Sequence, residues 1–181
     1  HLSLALMIYA SMYWLMLRTL WPQRVATRSL GKLFGFLLGL LAVTIVFGAF
    51  VAGMRAGLIY NTFPLMNGHL LPPGMGAFQA LWLNALENPV TVQFIHRCLA
   101  LTTLAVVAGL WLNWRRAELV PAQRLALNAL AAMTLVQVSL GIATLLLHVP
   151  VALGTLHQGG AVLLLSAVLA LRHWSSEAVS S

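Results

Sequence analysis

The sequence predicts an all-α membrane protein with five transmembrane helices. Of its 181 residues, 61% are hydrophobic and only 7% are charged, and the apolar residues fall into five long runs. Soluble domains carry about 25% charged residues, so a water-soluble globule is excluded. No run alternates apolar and polar residues over the length of a strand, and strands facing lipid would leave backbone groups unpaired. We therefore expect every span to be a helix.

The five apolar runs set the order and length of the predicted spans. A span needs about 20 apolar residues, because a helix rises about 1.5 Å per residue and the hydrocarbon layer is about 30 Å thick. The first run is a few residues short, as expected of a truncated span, and the other four have full length. The predicted spans are residues 1–17, 33–54, 90–114, 125–147 and 151–171.

The runs also divide the chain into regions. It begins with His1 inside an apolar run, so we interpret it as a fragment whose N-terminal part is missing. Residues 1–17 are then the last helix of a truncated N-terminal half, and residues 18–32 are a cytoplasmic or matrix linker. Residues 33–172 are predicted to form a C-terminal four-helix bundle, followed by a polar tail at residues 173–181.

Basic residues predict the orientation of the bundle. Eight of the ten lie in the linker, between the third and fourth spans or after the fifth, which leaves only Arg55 and Arg97 near the opposite side. Positive residues mark the cytoplasmic or matrix side. We expect a bacterial plasma membrane or mitochondrial inner membrane protein, with residues 55–89 as a long outer loop that covers a site. Within that loop, residues 76–86 are expected to form a short interfacial helix bearing Trp82.

The acidic and sulfur-containing residues exclude several kinds of chemistry. The chain contains three acids in total and only one cysteine, Cys98. Paired-carboxylate hydrolysis and carboxylate cages for Mg²⁺ or Ca²⁺ therefore lack ligands. Cysteine-based zinc sites and iron–sulfur clusters are excluded as well. The net charge of +7 is explained by membrane topology, so no nucleic-acid partner is expected.

Two histidines within the predicted spans are the main candidates for a functional site. His96 lies about two turns from the outer end of the third span, and His157 lies at a similar depth in the fifth. Both spans run inward, so the two imidazoles can face each other near the outer surface. Ionisable residues at membrane depth are costly and generally functional. Small residues beside both histidines leave room for a flat macrocycle, although such residues also allow close helix packing.

Residue spacing alone leaves several interpretations open. Two facing neutral histidines can supply both axial ligands of a heme iron. The protein would then be either an enzyme or a b-type cytochrome subunit that relays electrons without chemistry. A small transporter with a proton relay through His96 and His157 is another interpretation. The remaining interpretation is that each histidine is a hydrogen-bonded core residue that binds no ligand.

Three segments resemble the second-half signature of the heme A synthase family. Residues 48–66 read Gly-Ala-Phe-Val-Ala-Gly-Met-Arg-Ala-Gly-Leu-Ile-Tyr-Asn-Thr-Phe-Pro-Leu-Met, residues 92–97 read Val-Gln-Phe-Ile-His-Arg, and residues 156–158 read Leu-His-Gln. The resemblance covers essentially the whole chain. It is closest to the branch shared by proteobacteria and mitochondria, which lacks cysteine pairs in its loops.

The resemblance implies two pseudo-symmetric four-helix bundles, of which this chain contains the complete second. His96 and His157 then match the axial ligands of a low-spin heme b. His1 matches an iron ligand of the first-half site, where heme O is bound and oxidised. The partner histidine and the glutamate of the first-half Glu-x-x-His-Arg motif would precede residue 1. No catalytic site would therefore be complete in the fragment, which we expect to be inactive alone.

The corresponding motif in this half reads Gln93-x-x-His96-Arg97, with a glutamine in place of the glutamate. A glutamine cannot accept a proton as a carboxylate can, which suits electron transfer rather than chemistry. Arg55 and Arg97 are candidate partners of the anionic heme propionates. Snorkelling of both side chains to lipid headgroups is the alternative.

The resemblance further implies an oxidoreductase that converts heme O to heme A for terminal oxidases. A porphyrin methyl group would be oxidised to a formyl group through successive hydroxylations. Heme b would transfer electrons and carry out no chemistry itself, because axial histidines on both sides leave no open iron position. The sequence does not identify the electron acceptor. Heme O, the lipid bilayer, heme O synthase and oxidase assembly factors are the expected partners, and a homo-oligomer remains open.

Overall fold

The computed structural model describes residues 2–22 and 26–176, which fold into helices joined by turns and loops. Five of these helices are long and apolar enough to cross a membrane, which confirms the predicted all-α fold with five spans. The helices are α1 (Leu2–Leu20), α2 (Lys32–Gly53), the short α3 (Leu81–Glu87), α4 (Pro89–Trp114), α5 (Pro121–Leu146) and α6 (Val151–Trp174).

Local sequence explains where the helices α4 and α5 begin. Asn88 caps α4, because its side-chain oxygen accepts a hydrogen bond of 3.0 Å from Val90 N, and Pro89 occupies the first turn. Pro121 opens α5 in the same way, about four residues before the start predicted from hydropathy. Proline suits the first turn, since its φ is already helical and its missing N–H would have no partner there. The polar first turn of α5 carries no hydropathy signal.

Helices α2, α4, α5 and α6 form a closed four-helix bundle. The neighbours around the ring are α2 with α4, α4 with α5, α5 with α6, and α6 with α2. Helices α4 and α6, which carry the two candidate histidines, therefore lie on a diagonal. Helix α1 packs outside the ring against α6, where the Tyr9 hydroxyl lies 2.6 Å from the Ser166 Oγ.

The bundle has two ends, which we name by their residues. The basic end comprises residues 26–32 and the α4–α5 turn, and the loop end comprises residues 54–80 and the α5–α6 turn. Most buried side chains toward the basic end are apolar and include Leu37, Leu41, Val107, Leu110, Leu127, Leu130, Leu164 and Val168. Toward the loop end the buried positions include the polar residues Thr44, Gln93, Thr103, Thr134 and Gln137. The buried polar residues at the basic end are Gln123, His173 and Ser175, so most of the buried polar residues in the described chain lie in the loop half.

The basic end is more ordered than the sequence suggests. Helix α6 continues to Trp174, so the predicted tail begins inside the helix, and residues 177–181 lie outside the described part. His173 is fully buried, and its ring meets those of Trp14 and Trp174 edge-on at centroid distances of 6.1 and 4.9 Å. Packing of α1 against α6 provides this cover, and the sequence of α6 alone gives no sign of it.

The linker is attached to the bundle through one buried amide. The Gln123 Oε1 accepts a hydrogen bond of 3.0 Å from Thr27 N, and its Nε2 donates one of 2.7 Å to Arg28 O. Gln123 is fully buried in the first turn of α5. The described part of the linker is therefore held against the bundle.

At the loop end, helix α3 lies close to the predicted interfacial segment, at Leu81–Glu87 instead of residues 76–86. Its Trp82 is 63% exposed, as expected of a side chain that faces a membrane interface. Helix α3 packs on α4, so the loop returns to the bundle just before α4 begins.

Candidate functional site

His96 lies in the second turn of α4 and contacts α2. Its Nδ1 is 3.1 Å from the backbone oxygen of Thr44, and its ring lies over Gly48. A Cβ atom at Gly48 would be 3.0 Å from the His96 Cε1, closer than ordinary packing allows. A carbonyl oxygen can only accept a hydrogen bond, so the proton of the neutral ring is on Nδ1. The Nε2 lone pair is then left for another partner.

His157 lies in the second turn of α6 and contacts α5 in a similar way. A Cβ atom at Gly141 would be 2.9 Å from its Cε1, so this ring also requires a glycine on the neighbouring helix. Its Nδ1 is buried and has no hydrogen-bond partner within the described residues. The ring interacts with the backbone of Gln137, but unlike His96 it has no hydrogen bond of ordinary geometry to fix its tautomer.

Gln137 supports the backbone that carries His157. Its Nε2 donates a hydrogen bond of 2.8 Å to the His157 backbone oxygen. Its Oε1 is buried, lacks a hydrogen-bond partner in the described part of the chain, and packs against Gly160. The His157 Nδ1 and the Gln137 Oε1 are thus both without a hydrogen-bond partner in the described part of the chain.

The two histidines occupy the same half of the bundle. They project from the diagonal helices α4 and α6, each one about two turns from the loop end. The two imidazoles are within range of electrostatic interaction with each other. The structure therefore brings together the pair that the sequence singled out, each ring packed on a glycine of an adjacent helix.

Arg97 and Gln93 hold the long loop against α4. The Arg97 guanidinium donates hydrogen bonds of 2.8 Å to Thr62 O and 2.7 Å to Tyr60 O. The Gln93 Nε2 donates one of 3.0 Å to the same Tyr60 oxygen. Two terminal nitrogens of Arg97 are thus bonded to the loop, while its Nε is buried without a partner among the described atoms. Gln93, which shares a helix face with His96, also serves this attachment.

Arg55 is placed differently from Arg97. It is exposed and adopts a left-handed conformation with φ of 52° before the short turn Ala56–Leu58. Asn61 anchors the loop nearby, because its Nδ2 donates to Gly57 O at 2.6 Å and to Leu145 O at 2.9 Å. The loop is therefore attached both to α4 and to the end of α5.

The other histidines of the described chain lie away from this pair. His1 lies outside the described residues, so its predicted role at the first-half site stays a prediction. His69 is exposed in the long loop, and His148 is exposed in the α5–α6 turn with φ of 61°. His173 is buried at the basic end, as described above.

The sequence reading missed the residues that support the two histidines. Thr44 and Gly48 lie four residues apart on α2, and Gln137 and Gly141 lie four residues apart on α5. Residues at this spacing share a helix face. Only the glycines are a signal that the sequence carries, because the hydrogen bond of His96 is to the backbone oxygen of Thr44 and involves no side chain of α2.

Comparison with known proteins gives consistent matches over this chain. The family model described as "Cytochrome oxidase assembly protein" (COX15-CtaA) matches residues 1–169. The heme A synthase of Nitrosospira multiformis is 45% identical over 178 residues, which cover 96% of the chain and 50% of that protein. The heme A synthase of Rhodospirillum centenum is 47% identical over 168 residues, covering 91% of the chain and 45% of that protein.

A eukaryotic relative shows the same partial coverage. Heme A synthase COX15 of Bos taurus is 41% identical over 174 residues, which cover 93% of the chain and 42% of that protein. The chain spans about half the length of the curated relatives it matches. No solved structure matches it.

Proposed function

The chain belongs to the cytochrome oxidase assembly protein family, and on this premise we propose that it forms part of a heme A synthase. Membership of this family, together with five apolar helices, makes it an integral membrane protein. The whole enzyme would oxidise a methyl group of heme O to the formyl group of heme A. The observation that carries the proposal for this chain is the pair of histidines, each packed on a glycine.

The described residues fit a heme held between His96 and His157. Iron binds the lone pair of a neutral imidazole, and ligating histidines generally donate their other N–H to a carbonyl or carboxylate. The Nδ1 contact of His96 with Thr44 O has this form and leaves Nε2 for the metal. A heme held by these two histidines would supply one-electron transfer, since no iron position would stay open.

The surroundings of His157 fit the same role. Its Nδ1 is buried and has no hydrogen-bond partner in the described chain. Buried polar atoms without a partner are rare in proteins, and a bound ligand that turns the ring would explain this one. Gly141 leaves the ring space that any side chain would fill. Small residues beside both imidazoles support the proposal that a flat group lies between α4 and α6.

The chain's other polar groups would bind and shield the heme. We propose Arg55 and Arg97 as partners of the propionates, with Arg97 also holding the loop through Tyr60 and Thr62. Gln93 is an amide bonded to the loop and has no acid–base function, which suits electron transfer at this site. The held loop would keep water away from the porphyrin edge, which stabilises the low-charge reduced heme.

We also propose roles for two regions of the chain and name the partners of the whole protein. Residues 1–17 would be the last helix of the N-terminal half, with His1 a ligand at the site that holds heme O. Residues 33–172 would form the heme b bundle, with its site near the outer side of a bacterial plasma membrane or mitochondrial inner membrane. Heme O synthase and oxidase assembly factors are proposed partners, and the electron acceptor is unidentified.

Two measurements test this function. The chain, purified in detergent with heme b, should give a six-coordinate low-spin spectrum, which the His69→Ala control should preserve. The full-length protein should convert heme O to heme A, as followed by extraction and chromatography of the heme. A protein that binds heme without converting it would be a relay cytochrome. A protein with no Soret absorbance would refute the heme assignment and favour a proton relay.

A further inference from the structure

A groove runs along the bundle between α4 and α5. It is open on one side and has a volume of about 410 Å³. Its apolar walls are formed by Leu104, Val107, Ala108, Ala131, Ala132 and Leu135. The alanines make the groove, because they leave space that larger side chains would fill.

One end of the groove is polar. Trp111 and Asn128 line it there, and the Trp111 Nε1 donates a hydrogen bond of 3.0 Å to the Asn128 Oδ1. Asn128 is exposed on a helix that can span the membrane. An amide in that position is costly against hydrocarbon. Its Nδ2 remains as a donor at the junction between the apolar groove and the basic end.

Cationic side chains lie one turn beyond this junction. The Arg115 guanidinium lies 5.2 Å from the centroid of the Trp111 ring. Arg124 holds the turn together by donating to Arg115 O at 3.0 Å and to Ala117 O at 2.8 Å. Residues 115–124 carry three arginines and one acid, a local net charge of 3 − 1 = +2. The exposed Arg116 adds to a fixed positive surface beside the groove.

We propose that this groove binds one anionic phospholipid. The order of chemistry along the groove is cationic at Arg115 and Arg116, hydrogen-bonding at Trp111 and Asn128, and then apolar. A phospholipid has the same order, with its phosphate, its glycerol ester and its acyl chain. The arginines bind the phosphate, the Asn128 amide donates to an ester oxygen, and the acyl chain lies against the alanines. Basic residues in this position attract the anionic leaflet.

The test uses native mass spectrometry of the 181-residue chain, titrated with phosphatidylglycerol or phosphatidylcholine. The double variant Arg115→Gln/Arg116→Gln removes two charges and leaves the Arg124 contacts in place. Affinity for phosphatidylglycerol should fall about fivefold for each arginine removed, while affinity for phosphatidylcholine stays the same. The control variant Arg18→Gln/Lys32→Gln removes two charges from other helices, and it should retain the wild-type preference.

A second variant tests the apolar part of the site. Ala132→Phe fills the groove without changing any charge, and it should weaken both lipids by a similar factor. Thermal unfolding in neutral lipid shows whether each variant remains folded. Equal affinity for the two lipids in the wild type, or an equal loss in the control, would overturn the proposal. Co-purification of a quinone in place of a phospholipid would overturn it as well. None of these outcomes depends on heme binding.

Discussion

His96 and His157 have similar positions in the bundle but different hydrogen bonds. Each ring packs on a glycine of an adjacent helix, Gly48 on α2 and Gly141 on α5. The His96 Nδ1 contacts a backbone oxygen, whereas the His157 Nδ1 has no partner in the described chain. Space for both rings is therefore built into the bundle, while only the His96 ring has a hydrogen bond of ordinary geometry that fixes its orientation. The His157 ring interacts with the backbone of Gln137 without such a bond.

The long loop adds a second difference between the two histidines. On α4, Gln93 and Arg97 attach the loop within one turn of His96. On α6, the backbone oxygen of His157 accepts one hydrogen bond, from the side-chain amide of Gln137 on α5. The surroundings of His96 therefore combine a hydrogen-bond partner on the neighbouring helix α2 with a loop cover. The predictions below test how far this difference matters, beginning with the largest effect.

Removal of either imidazole tests whether the two histidines are equivalent as ligands. We expect His96→Ala and His157→Ala each to lower heme affinity by more than about 100-fold, since an iron ligand contributes more than the groups that orient it. The ratio of Soret to protein absorbance measures the loss. His69→Ala, in the exposed loop, is the matched control. Normal heme content in both alanine variants would remove the basis of the proposed function.

Alanine in place of either glycine tests the space beneath the rings. A Cβ atom at Gly48 or Gly141 would lie 3.0 or 2.9 Å from an imidazole carbon, so the ring has to move. We expect heme affinity to fall about 10- to 100-fold in each variant, as for changes that misorient a ligand. Gly109→Ala on α4 is the control, because no atom lies within 4 Å of a Cβ at that position. Unchanged heme titrations for both variants would show that neither contact positions a ligand.

Replacement of Arg97 tests the loop attachment on the His96 side. Arg97→Gln removes two charge-assisted bonds, each of which contributes about 1.5–3 kcal/mol. We expect faster hydrogen–deuterium exchange in residues 59–64, with α5 and α6 unchanged. Arg55→Gln should leave exchange in the loop unaltered, since Arg55 is exposed. Equal exchange in the two variants would mean that Arg97 does not hold the loop.

Gln137→Leu tests the single amide on the His157 side. It removes one neutral hydrogen bond, worth about 1 kcal/mol, so heme affinity should fall about fivefold. The electron paramagnetic resonance signal of the oxidised heme should also change, because its g values depend on the orientation of the axial imidazoles. Thr134→Val is the control on the same helix, since within the described residues its hydroxyl has one hydrogen bond, to Leu130 O at 2.8 Å. A spectrum identical to that of the wild type would show that Gln137 does not orient His157.

Much of the fold could be predicted, because lipid imposes a simple requirement on each span. The five apolar runs identify the five helices, with errors of a few residues where a polar first turn or a buried last turn gives no hydropathy signal. Pro121 and His173 are the clearest examples. Proline extends α5 into polar sequence, and α1 covers a histidine that the sequence of α6 leaves unexplained.

The candidate site was predictable in part. His96 and His157 are identifiable because ionisable residues are rare in such spans, and the structure places them in the same half of the bundle. The contacts that distinguish them were not predictable. Thr44 O is a backbone atom with no signature of its own, and the binding of Tyr60 and Thr62 by Arg97 depends on where a 27-residue loop, 54–80, returns.

Composition and spacing along the chain are enough to predict which segments are helices, which end of the bundle is basic and which two histidines are candidates. Hydropathy and charge act locally, so these features need no knowledge of the packing. The tertiary structure places the rings on Gly48 and Gly141, brings Arg97 to the loop, and leaves a groove between α4 and α5 at Ala108 and Ala132. These contacts join residues distant in sequence, and their distances are set by helix packing and by the path of the loop.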